Sequence, residues 1–152
     1  MTKHIDIVAH QVKFFVMALL VATVMSTQLF APSASAVTPH YCENKIVKQG
    51  SKHKCVKYAK QILNGVSKTH AGDTDNGYTI TASQLKVNTT FNAAMTKKVR
   101  TFQGWSGIAV DGKVGGYTWI YLCSFAQYDY KYVPNSTTKT AYQAGINAGC
   151  VY

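Results

Sequence analysis

Hydrophobic residues recur at helical spacing in three parts of the chain, and each recurrence predicts an amphipathic helix. The first part, residues 51–64, opens with Ser51, a residue type suited to an N-cap, and is followed by Gly65 as a stop. Its apolar stripe consists of Val56, Ala59, Ile62 and Leu63. The opposite side, which is expected to face solvent, carries Lys57, Lys60 and Gln61.

A second helix is predicted within residues 85–103. Asn92 is a suitable N-cap, and Met95, Val99 and Phe102 follow at positions i, i+4 and i+7 of one buried face. The spacing indicates that this helix, like the first, packs one side against the rest of the domain.

A sharp turn at residues 110–115 precedes the third helix. Asp111 can hydrogen-bond the backbone ahead of it, and the glycine that follows can adopt the positive φ of a compact turn. After the turn, the hydroxyl of Thr118 is expected to accept from unpaired backbone N–H groups at the start of a helix. That helix carries Trp119 and Leu122 on one face.

An internal repeat links these last two helices. Residues 87–92 correspond to residues 110–115, 23 positions later, with asparagines in place of the aspartate and the final glycine. Two turn-plus-helix units that pack against each other are therefore expected. A long polar surface loop, residues 65–84, precedes them, with a short extended piece predicted at residues 78–80.

The tail, residues 124–152, is rich in tyrosine. Tyr128, Tyr130 and Tyr132 alternate as in an edge strand, and Pro134 then turns the chain. Two interpretations of the tyrosines stay open at this point. They form either a half-buried cover for a small core or an exposed aromatic strip that stacks on sugar rings.

The N-terminus has the order of a secretory signal peptide. A basic lead with Lys3 and Lys13 precedes the apolar run of residues 14–22, and residues 34–36 form a small-residue cleavage site. Cleavage is predicted after Ala36, and an uncleaved anchor is the alternative. The mature form would be a secreted domain with no membrane span.

Four cysteines lie in this mature part, and an even number in an exported chain predicts two disulfides. Three pairings are open. The predicted helix limits favour Cys55 with Cys123, at the start of the first helix and just after the last, and Cys42 with Cys150, which would join the chain ends. The expected organisation is an arm at residues 37–50, a domain at residues 51–123 and an extension at residues 124–152. The predicted signal peptide, residues 1–36, precedes these three segments.

The charge of the mature part is strongly positive. Without the signal peptide, 14 basic and 5 acidic residues remain, a net charge of +9 with histidine neutral. Such a domain is attracted to polyanions, including wall polymers and anionic membranes. The basic residues are dispersed along the chain and no nucleic-acid motif accompanies them, so nucleic acid is not the expected partner.

No arrangement for catalysis or for a metal stands out. The mature part has only Glu43, Asp73, Asp75, Asp111 and Asp129 as carboxylates, and none of them forms an evident catalytic pair. The sequences His-x-Cys at residues 40–42 and 53–55 lack the spacing of structural zinc sites. The acidic run at residues 73–77 lacks the closing glutamate of a calcium loop. The sequence therefore predicts no enzyme, no cofactor and no metal.

Three sequence features together resemble the peptidoglycan-binding domain, a small three-helix module of bacterial cell-wall proteins. They are Phe102-Gln103, then the run from Gly107 through the turn to Gly115, then Thr118-Trp119-x-x-Leu122. The first helix is similar to the family's Val-x-x-Leu-Gln-x-x-Leu pattern, with Ala59 and Lys60 departing from it. The resemblance implies a mainly α, three-helix bundle with two turn-helix units. Disulfide-bonded termini and a short β segment in the tail complete the expected fold.

The resemblance also implies a function, non-catalytic binding of peptidoglycan or another anionic wall polymer by a monomeric secreted protein. The ligand groove would lie between the helices and turns of the repeat. Positions expected to line it are Arg100, Gln103, Trp105, Asp111, Lys113, Tyr117 and Trp119. Two alternatives remain: a basic effector that binds anionic membranes or wall polymers, and an accessory that targets a separate wall hydrolase.

Overall fold

The computed structural model describes residues 41–152, so the predicted signal peptide lies outside the described residues. This part contains the helices α1 (Lys54–Thr69), α2 (Ala93–Trp105), α3 (Gly116–Tyr132) and α4 (Ser136–Ala148). Two short antiparallel strands, β1 (Thr74–Asp75) and β2 (Tyr78–Thr79), form a hairpin in the polar loop. The mainly helical prediction is confirmed, with four helices in place of three. Among these helices, none has the length and apolar character that crossing a membrane requires.

The core lies where α1 meets α3 and α4, with α2 packed on one side. All three predicted apolar stripes are buried in it, and Trp119, with 1% of its surface exposed, is its largest side chain. The indole N–H of Trp119 reaches the backbone oxygen of Lys45 at 3.3 Å, so the N-terminal arm closes over the core. The helical spacing of apolar residues therefore identified the buried faces correctly.

Helix α1 begins and ends later than its sequence predicts. His53 is the N-cap, because its Nδ1 accepts a hydrogen bond from the Cys55 N–H at 3.2 Å, whereas Ser51 accepts from the Lys48 N–H in a preceding turn. The predicted stop at Gly65 is wrong. A Cβ at this position would lie 2.6 Å from the Cβ of Ala141 in α4, so the glycine permits a close helix crossing.

We expect Gly65→Ala to lower the free energy of unfolding by about 1–2 kcal/mol, since crowding at the α1–α4 crossing outweighs the roughly 1 kcal/mol gained in helix propensity. Gly116→Ala is the matched control, because a Cβ there meets nothing within 4 Å. Chemical denaturation of both variants measures the difference. Equal free energies for the two would contradict the close crossing.

Helix α3 continues ten residues beyond Leu122, so the predicted edge strand is wrong. The alternating tyrosines have a helical explanation, because residues four apart share a face. Tyr128 and Tyr132 lie side by side with ring centroids 4.5 Å apart, while Tyr130 points elsewhere and stacks on Tyr142 of α4 at 4.8 Å. The chain then turns at Pro134 before α4 begins.

Two disulfides are confirmed, but the favoured pairing is wrong: Cys42 bonds Cys55, and Cys123 bonds Cys150. The error follows from the predicted end of the third helix. Because α3 runs on and α4 returns beside it, Cys123 lies within a helix and faces Cys150, two residues beyond the end of α4. The two ends of the described part still meet, since the Cys42 N–H donates to the Ala148 oxygen at 2.8 Å.

Candidate functional site

Gln103 organises the Asp-Gly turn from the end of α2. Its side-chain amide donates to the Asp111 Oδ1 at 2.9 Å, to the Lys113 backbone oxygen at 2.8 Å and to the Thr118 hydroxyl at 3.0 Å. Its Oε1 accepts from the Gly112 N–H at 2.8 Å. With 1% of its surface exposed and its polar atoms engaged, Gln103 holds the turn from beneath.

Asp111 uses its carboxylate within the turn, as its position before a glycine predicts. Its Oδ1 accepts from the Lys113 N–H at 2.8 Å as well as from the Gln103 amide. Burial is the largest single influence on the Asp111 pKa and raises it, but these two hydrogen bonds and the Lys113 charge together outweigh it. The net pKa is lowered, which keeps the carboxylate ionised.

Arg100 packs over the same turn. Gly112 has a φ of +74°, and a Cβ there would lie 2.9 Å from the Arg100 Nε and 3.1 Å from the Thr96 Cγ2. A glycine is therefore required here for two reasons: the positive φ of the turn and the close approach of α2. As a result, the exposed Arg100 side chain lies beside the turn.

The first unit of the repeat contains an equivalent of Gln103. The Lys60 ammonium donates to the Thr90 oxygen at 2.7 Å, the Asn88 Oδ1 at 2.8 Å and the Lys86 oxygen at 3.3 Å. Asn88 and Thr90 correspond to Asp111 and Lys113 in the 23-residue repeat. Each unit thus has a long polar side chain from the preceding helix that holds its turn.

Lys60 corrects the sequence prediction, which placed it on the solvent-facing side of α1. Only 1% of its surface is exposed, and burial lowers the pKa of its ammonium group. The substitution of lysine for the family's glutamine keeps a donor at this position. It replaces a neutral amide with a charge that needs oxygen partners on several sides.

A groove of about 590 Å³ opens next to the second turn. It lies between the turn, the first residues of α3 and the N-terminal arm, and it is lined chiefly by Ile46, Lys48, Ile108, Lys113, Gly116 and Tyr117. Tyr117 and Ile46 are 79% and 71% exposed, so the groove has two prominent apolar walls. Lys48 and Lys113 contribute two positive charges to the lining, and Asp111 contributes one negative charge.

The start of α3 strengthens this positive character. Its N-cap, Gly115, offers no side-chain hydrogen bond, and the predicted capping by Thr118 is not formed, because that hydroxyl is engaged by Gln103 and by the Lys113 oxygen. Unpaired N–H groups at a helix N-terminus attract anions and carboxylates. The first turn of α3, including Gly116, borders the groove.

The structure brings together some of the predicted site residues and separates others. Asp111, Lys113 and Tyr117 lie exposed at the groove, with Arg100 beside the turn. Gln103 lines the floor of the groove although it is 1% exposed, Trp119 is buried in the core, and Trp105 packs against Phe125 at 5.0 Å in a separate aromatic cluster. Sequence reasoning missed Ile46 and Lys48.

The missed residues belong to the N-terminal arm. Val47, between them, exchanges two backbone hydrogen bonds with Val114, at 3.0 and 2.8 Å, and this pairing places the arm along the groove. The contact joins residues 67 positions apart and leaves no periodic signal in the arm. Only the tertiary structure could reveal it.

The turn, α2 and the start of α3 also correspond to a known family. Residues 74–122 match the family model described as "Putative peptidoglycan binding domain". The resemblance predicted from the sequence is confirmed. Comparison with curated proteins gave no match, and comparison with solved structures gave none.

The match supports peptidoglycan binding in general. The matched residues can be compared with the elements of the fold. The match covers the Gln103 turn and most of the groove wall, and it leaves out α1, where Ala59 and Lys60 depart from the family pattern. The matched segment ends at Leu122, ten residues before the end of α3.

A second polar cluster surrounds His70 at the end of α1. Its Nε2 lies 2.9 Å from the Asp129 Oδ1, and its Nδ1 lies 2.9 Å from the Asp73 Oδ2. Asp129 is 1% exposed and raises the pKa of His70, although partial burial opposes this effect. Because both ring nitrogens contact carboxylates, the imidazole has no nitrogen available to act as a base on a substrate.

We expect the His70 pair to stabilise the fold more at acidic than at alkaline pH. Since the folded pKa of His70 lies above its ordinary value of 6.5, its contribution is present below that value and is lost as the pH rises through the folded pKa. The free-energy difference between wild type and His70→Gln should therefore shrink between about pH 6 and pH 9. Denaturation across this range measures it, and a constant difference would contradict the charged pair.

Proposed function

We propose that this protein is exported and binds peptidoglycan without catalysis, through the groove beside the Asp-Gly turn. The observation that carries the proposal is the coincidence of this groove with the segment that matches the peptidoglycan-binding family. Two disulfides and the signal-peptide pattern support an extracellular location.

The chemistry of the groove suits the peptide part of the wall polymer. Stem peptides present carboxylates and amides, and the groove offers Lys48, Lys113 and the open N-terminus of α3 to the carboxylates. Tyr117 and Ile46 provide apolar surface for aliphatic parts of the peptide. The buried Gln103 keeps the turn in one conformation, and this reduces the conformational-entropy cost of ordering the turn when a ligand binds.

The described residues support binding better than hydrolysis. The buried Asp129 is paired with His70, and Asp111 is engaged by its own turn, so neither carboxylate is placed as a general acid facing a second carboxylate across a cleft. Cys42, Cys55, Cys123 and Cys150 are all in disulfides and cannot act as thiolate nucleophiles or metal ligands.

Tyr117→Ala is expected to weaken binding to sacculi stripped of teichoic acid by roughly tenfold, because the most exposed wall of the groove is lost. Ile146→Ala, an exposed apolar residue on α4, is the control and should bind as wild type does. Co-sedimentation at several protein concentrations measures both. Equal affinity of the two variants would exclude this groove.

Salt separates the proposal from the alternative of a basic protein that binds polyanions through charge alone. Purely electrostatic binding should fade between about 0.1 and 0.5 M salt, whereas groove binding should largely persist. Lys113→Met and Lys139→Met remove one exposed charge each, and only the first lies at the groove. An equal loss of binding in the two variants would favour the alternative.

A further inference from the structure

An aromatic stripe runs along one face of α3. Its members are Tyr117, Tyr121, Phe125, Tyr128 and Tyr132, at intervals of four, four, three and four residues. Residues at this spacing share a helix face, and all five side chains are at least partly exposed. The stripe starts at the groove, because Tyr117 belongs to both.

The far end of the stripe forms a cleft of about 500 Å³. Phe125, Tyr128 and Tyr132 supply its aromatic surface, and Ser124, Gln127 and Lys131 supply a hydroxyl, an amide and an ammonium group. Tyr128 and Tyr132 are 57% and 58% exposed. Aromatic faces with hydroxyl and amide groups at their edges suit sugar rings, which have one flat apolar face and polar substituents around it.

The charge of this cleft is positive. Helix α3 contains two charged residues, Asp129 and Lys131. Asp129 is buried and contacts His70, whereas Lys131 is exposed with its Nζ 5.0 Å from the centre of the Tyr132 ring. An acidic ligand is therefore attracted at the point where the rings are exposed.

We propose that this cleft binds the glycan strand of peptidoglycan where its muramic acid residues carry free carboxylates. Sugar rings stack on Tyr128 and Tyr132, and a lactyl carboxylate pairs with Lys131. The inference rests on the proposed function, since the glycan strand and the stem peptides belong to one polymer. The stripe would carry that polymer from the cleft towards the Tyr117 groove, 11 residues or roughly 17 Å along the helix.

The test uses the purified protein and two soluble probes. One is a peptide-free tetrasaccharide of alternating N-acetylglucosamine and N-acetylmuramic acid, and the other is the neutral tetrasaccharide of N-acetylglucosamine. Titration calorimetry should show at least fivefold tighter binding of the acidic probe. Tyr128→Ala should weaken its binding about tenfold, and Lys131→Met should remove the preference for the acidic probe. Ile146→Ala and Lys139→Met, both on α4, are the matched controls.

Absence of binding by wild type would overturn the inference, and so would equal affinity for the two probes. Unchanged binding in Tyr128→Ala and Lys131→Met would overturn it as well. Failure here is distinguishable from failure of the proposed function, which is measured with Tyr117→Ala on whole sacculi. If Tyr117→Ala loses sacculus binding while the tetrasaccharides do not bind, the groove stands and the cleft does not.

Discussion

Replacing Lys60 by methionine is expected to lower the free energy of unfolding by about 3 kcal/mol. The substitution keeps most of the aliphatic volume in α1 but removes the ammonium group that three oxygens of the first turn contact. Hydrogen bonds to a charged group contribute about 1.5–3 kcal/mol, and the unpaired acceptors add a cost, while relief of the buried charge offsets part of it.

Two further variants make the Lys60 experiment specific. Lys57→Met changes an exposed lysine of the same helix and should alter stability by less than about 0.5 kcal/mol. Lys60→Gln retains a donor of the family's residue type and should recover part of the loss. If Lys60→Met unfolds at the same denaturant concentration as Lys57→Met, the ammonium does not hold the first turn.

Gln103→Leu is expected to lower the free energy of unfolding by about 3 kcal/mol and to weaken peptidoglycan binding at least tenfold. Leucine leaves the Gly112 N–H without its buried partner, at a cost of about 1–3 kcal/mol, and leaves the Lys113 oxygen with only the Thr118 hydroxyl at 3.3 Å. The lost bonds to Asp111 and Thr118 add to this cost, and water and the apolar side chain offset part of it. The turn then loses the conformation that places Lys113 and Tyr117 at the groove.

The comparison with Lys60→Met separates stability from binding. Both variants remove a central polar side chain from a turn, but only the second turn borders the groove. Binding is measured at a temperature where both variants are folded. We expect Lys60→Met to keep its affinity for sacculi and Gln103→Leu to lose it. Equal affinities would show that the second turn has no direct part in binding.

Local physical chemistry made much of this fold predictable. The stripe of Met95, Val99 and Phe102 identified α2 and its buried face, and Asn92 caps that helix, its Oδ1 accepting from the Met95 N–H at 3.0 Å. The Asp-Gly turn was predictable for the same reason, because Asp111 bonds the backbone two residues ahead. Such features depend on residues close in sequence, where spacing and side-chain chemistry act directly.

Features that depend on distant contacts were not predictable. The alternation of Tyr128, Tyr130 and Tyr132 is compatible with a strand and with a helix. What distinguishes the two is a contact with α4, where Tyr142 stacks on Tyr130. The extent of α3 then decided the disulfide pairing. Lys60 appeared solvent-facing because its acceptors lie 26 to 30 residues away, beyond the hairpin loop.

The candidate site was predictable in part. Asp111, Lys113 and Tyr117 lie at the groove because the turn itself builds one wall. Trp119 and Gln103 carry the family resemblance, but their packing makes them part of the scaffold. Trp105, expected to line the groove, is covered partly by His70 and Phe125. Helix α3 supplies Phe125 from beyond the matched segment.

The most direct test of the groove is an amide chemical-shift titration with soluble disaccharide-peptide fragments of peptidoglycan. The expected result is a set of saturable shifts at residues 46–48 and 108–118, with little change at the exposed α4 residues Lys139 and Gln143. Shifts confined to other surfaces, or none at fragment concentrations that compete for binding to sacculi, would contradict recognition at the groove.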